Sequence, residues 1–99
     1  METSNVTIIK NKAKTKKPKH YKAVMYNDDY TSMEFVVDIL INIFNKCQEE
    51  ANKIMIEVHQ KGKGIAGIYP YDIAVTKVSI AMSKAEEDGF PFKVIVEEV

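Results

Sequence analysis

The chain has no arginine and only one cysteine, Cys47. Without arginine, any contact with phosphate falls to lysine, which gives salt-sensitive and sequence-blind binding. A lone cysteine excludes an internal disulfide and fits a reducing compartment. No apolar run is long enough to cross a bilayer. The opening stretch METSNVTIIKNKAKTKKPKHYK lacks the apolar centre of a signal peptide. These absences read as a cytoplasmic protein with no membrane partner. No internal repeat is visible.

The signatures of several chemistries are also missing. There is no G-x-S-x-G, no P-loop and no dinucleotide fingerprint. Cys47 falls at a helix end without a base nearby in sequence, so it reads as a half-buried helix residue rather than a nucleophile. Asp28, Asp29 and His59 could offer metal ligands, but there is no H-x-x-x-H, no Cys pair and no EF-hand spacing. The Gly62-Lys63-Gly64 run is too short to cradle a phosphate and suits a helix cap. The expectation is therefore a binding protein, with no catalytic residue, no metal and no cofactor.

Ninety-nine residues bound the chain to one domain with a modest core. The formal charge is zero, but it is unevenly spread. Residues 1–22 hold seven lysines and one acid, a balance of +6, and residues 23–99 hold seven lysines and thirteen acids, a balance of −6. A basic arm over residues 1–19 is expected to be disordered, because it has little apolar surface to offset its ordering entropy. Residues 20–99 would form the folded body. Its acidity argues against a nucleic acid partner.

Within the body, HYKAVMY (20–26) alternates and is rich in strand formers. Thr31 and Glu34 form a T-x-x-E capping box at the head of a helix. Met33, Val36, Val37, Leu40 and Phe44 carry its apolar face to about residue 46. A second helix shows a stripe of Ala51, Ile54, Met55 and Val58 and stops at the glycines. Residues 65–69 read as a short strand. Pro70 opens a third helix with Ile73, Ala74, Val78, Ala81, Met82 and Ala85 buried, and Gly89 closes it. Residues 92–99 form the last strand. The order β-α-α-β-α-β predicts an α/β (α+β) two-layer sandwich: a mainly antiparallel three-stranded sheet covered by three helices.

The sharpest feature is Asn27-Asp28-Asp29 at the strand-to-helix corner. One acceptor is enough to cap a helix, and Thr31 supplies it, so the other three are surplus to the cap. If the first two helices are antiparallel neighbours, their short connection brings His59 beside this corner. Asn27, Asp28 and His59 then meet above Met33, Val36, Met55 and Val58. A polar rim over an apolar hole is the usual form of a small-ligand pocket.

The stretches YNDDYTSMEFVVDIL, ANKIMIEVHQKGKGIAG, DIAVTKV and GFPFKVIVE resemble the ClpS family, adaptors of the Clp protease. The resemblance covers about residues 20–97. It implies a non-enzymatic adaptor that binds proteins starting with Leu, Phe, Tyr or Trp. The adaptor passes them to a hexameric AAA+ unfoldase, ClpA or a relative, which feeds ClpP. By position, it implies that Asn27, Asp28 and His59 hold the free amine, while Asp29 and Thr31 shape the corner and contact the second residue. It also implies a pocket of Met33, Val36, Met55, Val58 and Phe92, with Met33 as a gate against β-branched first residues. Docking would use Tyr69, Asp72 and Lys77, the arm would reach the unfoldase pore, and the adaptor would act as a monomer. Ser32 stands where the family often has proline, Ala66 where it often has cysteine or a larger residue, and Val75 where it often has an acid. The element order also resembles the C-terminal domain of the ribosomal stalk protein L7/L12, a protein-docking module that needs no amine-binding corner.

Overall fold

Alternation and β-branching put residues 20–26 into a strand, and the structure, a computed structural model, forms it there. Residues 19–99 are described. The arm expected over residues 1–19 therefore lies outside the described residues, except for Lys19. The elements are β1 (His20–Tyr26), α1 (Met33–Asn42), α2 (Gln48–Lys61), β2 (Lys63–Pro70), α3 (Tyr71–Glu87) and β3 (Lys93–Glu98). The sheet order is β2-β1-β3, with both pairings antiparallel. This is the two-layer β-α-α-β-α-β arrangement expected from the sequence.

One core joins all six elements. Ala23 and Met25 of β1 are fully buried and pack with Phe35, Ile39 and Leu40 of α1, Ala51 and Val58 of α2, Ala81 and Ala85 of α3, and Val94 of β3. Neighbours on β1 point to the other face, where Lys22 pairs with Glu97 at 3.9 Å. α3 departs from its expected face. Ala74, Ala81 and Ala85 are buried, whereas Ile73 and Met82 are largely exposed. The alanines let the helix lie close to its neighbours, which narrows the covered stripe and leaves the longer side chains on its flanks.

α1 ends at Asn42, short of the expected residue 46. Asn45 takes a left-handed φ of 59°, which no helix interior tolerates. Cys47 is the N-cap of α2 and is exposed, rather than half-buried within a helix. Gly62 closes α2 at φ 90°, the left-handed cap expected of it. β2 starts at Lys63 rather than residue 65, because Lys63 and Gly64 pair with Tyr26 and Met25. Pro70 ends β2 and caps α3.

Two glycines allow close approach. A Cβ on Gly64 would lie 2.9 Å from Val58 Cγ2, so a bare Gly64 lets α2 settle against β2. A Cβ on Gly67 would collide with the hydroxyl and ring of Tyr69, which folds back over it. Gly67→Ala should therefore displace that ring and cost about 1–3 kcal/mol, the usual range for overpacking. Urea unfolding measures this. In a Tyr69→Ala background the same substitution should cost much less, as a double-mutant cycle would show.

Candidate functional site

The corner between β1 and α1 is built around Asp28. Its Oδ1 accepts from the Tyr30 N–H at 2.8 Å and the Thr31 N–H at 2.7 Å, and its Oδ2 accepts from the Thr31 hydroxyl at 2.7 Å. Asp28 is thus the acceptor that folds the corner and is not surplus, as the sequence suggested. The cap also differs from the expected capping box. Ser32, not Thr31, is the N-cap of α1, and its Oγ accepts from the Phe35 N–H at 3.1 Å. The Thr31 N–H and hydroxyl are both turned to Asp28, away from the first turn of the helix. Partial burial pushes the Asp28 carboxyl up, but the bonds from the Thr31 hydroxyl, the Thr31 N–H and the Tyr30 N–H outweigh it. They hold the group below the ordinary carboxylate value. With its folded pKa depressed, Asp28 stabilises the fold above the unfolded carboxylate pKa, about 3.9. That contribution is lost as pH falls through the folded value.

A backbone bond ties this corner to the end of α2: the Asn27 N–H donates to the Gly62 carbonyl at 2.9 Å. It places His59, one turn earlier on α2, beside Asn27 and Asp28. Asn27, Asp28, Asp29, Thr31, Met33, Val36, Met55, Val58 and His59 line one cavity of about 210 Å³. That is below the roughly 300–1,000 Å³ of pockets for drug-sized ligands, so its occupant is small. The polar side chains form one side of it. Met33, Val36, Met55 and Val58 form the other, with Val36 and Val58 nearly buried and Met33 half exposed. Among the described residues, the side chains of Asn27, Asp29 and His59 make no hydrogen bond within the protein. A carboxylate has about four acceptor sites. Asp28 uses three, so one remains on Oδ2. Among the described residues, no three metal-ligating side chains converge.

Phe92 does not line this cavity. It is buried in the core, with its ring 5.6 Å from that of Phe35. The three residues expected at a docking face lie elsewhere, around the start of α3. Asp72 is exposed in the first turn. Tyr69 is half buried, and burial pushes its phenol up. Its hydroxyl donates to the Phe44 carbonyl at 3.3 Å. The Lys77 ammonium donates to the Ile43 carbonyl at 2.6 Å and to Asn45 Oδ1 at 2.7 Å. Sequence reading did not find these bonds, since they join residues 25 to 34 positions apart. It also missed a shallower groove of about 650 Å³ across Met33 and Met55, bounded by Glu34, Asp38, Asp88 and Phe90. The turn before β3 completes that groove, and no local pattern in α1 signals it.

Residues 16–95 match the family model described as ATP-dependent Clp protease adaptor protein ClpS. The chain belongs to the ClpS family. It is 52% identical to the ClpS adapter of Clostridium acetobutylicum over 99 residues, covering 100% of this chain and 98% of that one. It is 50% identical to the ClpS adapter of Wolinella succinogenes over 92 residues, covering 93% and 90% of the two chains. Among solved structures, it matches Agrobacterium tumefaciens ClpS2 bound to L-phenylalaninamide. The TM-score is 0.80 at 34% identity, with 84% of this chain and all of that one covered. The ClpS family accounts for the element order, and the comparisons favour it over the ribosomal stalk domain. Among the described residues, no helix is long and apolar enough to cross a membrane.

Proposed function

We propose that this ClpS-family adaptor captures proteins by a free N-terminal residue that is Leu, Phe, Tyr or Trp, the N-degron. It hands them to a ClpA-like AAA+ unfoldase for degradation by ClpP. The observation that carries this reading is a small cavity with cation acceptors on one side and an apolar wall on the other. An α-ammonium is a cation with three donors. Asn27, Asp28 and His59 offer an amide oxygen, a carboxylate and an imidazole nitrogen to receive them. Charge-assisted bonds of this kind are about twice as strong as neutral ones. Asp29 and Thr31 frame the corner where the second residue's backbone leaves. Met33, Val36, Met55 and Val58 surround the first side chain. L-phenylalaninamide, the ligand of the Agrobacterium relative, pairs a free α-amine with a large apolar side chain, which is the chemistry this cavity suits.

The adaptor catalyses nothing and works as a monomer in the cytoplasm. Residues 20–99 are its core, and residues 1–19 are an arm that engages the unfoldase pore. The unfoldase's N-terminal domain docks near Tyr69, Asp72 and Lys77.

The test is the pH profile of L-phenylalaninamide binding. Asp28, with its depressed pKa, stays ionised through the neutral range. The ligand's own amine then shapes the curve. A free α-amine loses its charge above about pH 8, so binding should weaken from there upward. His59→Ala should weaken binding at neutral pH by about 1.5–3 kcal/mol, the range for a hydrogen bond to a charged group. A profile that stays flat from about pH 7 to about pH 10 would contradict recognition of a charged amine, and unchanged affinity in His59→Ala would overturn the role given to His59.

A further inference from the structure

The connection between α1 and α2, residues 43–47, is held from outside by two other elements. Lys77 of α3 reaches the Ile43 carbonyl at 2.6 Å and Asn45 Oδ1 at 2.7 Å. Tyr69 of β2 reaches the Phe44 carbonyl at 3.3 Å. The Lys77 ammonium also lies 5.3 Å from the centre of the Tyr69 ring. α1 has no basic residue in its last turn, so its final carbonyls have no cation of their own. Lys77 supplies one from α3. The connection also contains Asn45 at φ 59°, the one non-glycine residue with positive φ among those described. A conformation that L-residues seldom adopt persists only where its surroundings impose it.

The two helices differ in how they are anchored. α1 buries Phe35, Val36, Ile39 and Leu40, whereas α2 buries only Ala51 and Val58. α2 thus rests on fewer buried side chains than α1, with Ala51 seated in the core near its start, and its two ends set its position. At the far end, Val58 seats on Gly64 and the Gly62 carbonyl accepts from Asn27. At the near end, the N-cap Cys47 makes no side-chain bond, and the connection that precedes it is what Lys77 and Tyr69 hold.

We propose that Lys77 and Tyr69 form a clamp that sets the pitch of α2 and, through Met55, the width of the first-residue pocket. This rests on the first-residue reading of the cavity. A helix behaves as a rod rising about 1.5 Å per residue. If the Gln48 end swings about a pivot at Val58, Met55 follows by about a third of that displacement, by proportion along the rod. Met55 and Met33 both face the cavity and the wider groove beyond it, so they form the partition between the two. A small shift of Met55 changes the clearance at the ligand's Cβ. Lys77 is thus a positioning residue, and its loss alters discrimination more than affinity.

The test compares Lys77→Met, which keeps the aliphatic stem over Tyr69 and removes the cation, with Lys77→Arg, which restores a cationic donor. Affinities for Leu-first and Ile-first peptides are measured at a temperature where circular dichroism shows both variants fully folded. Hydrogen exchange is followed without ligand. Lys77→Met should speed exchange over residues 43–55 and leave β1 unchanged. It should also raise the Ile-to-Leu affinity ratio on the order of fivefold, within the usual reach of substitutions that act at a distance. Lys77→Arg should return both towards the parent. Unchanged exchange over residues 43–55 overturns the clamp. A uniform fall in both affinities with an unchanged ratio overturns its link to the pocket. If the unmutated protein binds neither peptide, the first-residue reading falls and takes the pocket half of the proposal with it, while exchange still decides the clamp.

Discussion

Asp28→Asn should fold like the parent and bind a Leu-first peptide about 1.5–3 kcal/mol more weakly, the range for a hydrogen bond to a charged group. The asparagine oxygen can still accept the Tyr30 and Thr31 N–H groups that Oδ1 accepts now. Its amide can turn to donate to the Thr31 hydroxyl that Oδ2 now accepts. The corner survives, but the charge facing the ligand's ammonium is gone. Asp28→Ala should do more. It removes the acceptor for all three corner bonds, and partial exposure keeps the stability cost at about 1–2 kcal/mol. Melting curves and peptide titrations on both variants separate the two effects. If Asp28→Asn binds as tightly as the parent, Asp28 acts on the corner alone and does not meet the ligand.

Met33→Ala should let Ile-first and Val-first peptides bind. Leu, Phe, Tyr and Trp are slim at Cβ, whereas Ile and Val carry two heavy atoms there and are stiff about χ1. Met33 lies on the first turn of α1 and lines both the cavity and the neighbouring groove. Cutting it back opens the cavity at that partition, and the clash with a branched Cβ disappears. Leu-first binding should fall by only about 1 kcal/mol, because a side chain already 49% exposed contributes only part of the value of a buried one. If Ile-first and Val-first peptides are still rejected as strongly, the discrimination comes from another wall of the cavity.

Much of this was legible in the sequence because it is local. β1 was placed by its alternation, the stop of α2 by Gly62, and the pairing of α1 with α2 by the short connection between them. Seven of the nine residues around the cavity were named from the corner and the two apolar stripes, and Asp29 and Thr31 were added by the family resemblance. What was not legible depends on partners distant in sequence. Thr31 looked like the cap because T-x-x-E is a local pattern, yet Asp28 binds Thr31 and leaves the cap to Ser32. The apolar period ran on to Phe44, yet α1 stops at Asn42, where the connection to α2 is held by Lys77 and Tyr69. Phe92 was assigned to the pocket by family position. It packs on Phe35 instead, since β3 enters the sheet beside β1 and directs that ring into the core.

The central claim is that the cavity recognises a free α-ammonium and a large unbranched apolar side chain together. The most direct measurement is a calorimetric titration of three short peptides that differ only at the start: Leu-first, acetyl-Leu-first and Ala-first. Acetylation leaves one donor and no charge where Asn27, Asp28 and His59 expect three donors and a cation, so its loss should be at least about a hundredfold. The Ala-first peptide keeps the amine but leaves the apolar wall unfilled, and should lose about 1.5–3 kcal/mol. The account predicts binding of the Leu-first peptide alone at low concentrations. Equal affinity for the free and acetylated Leu peptides would contradict it.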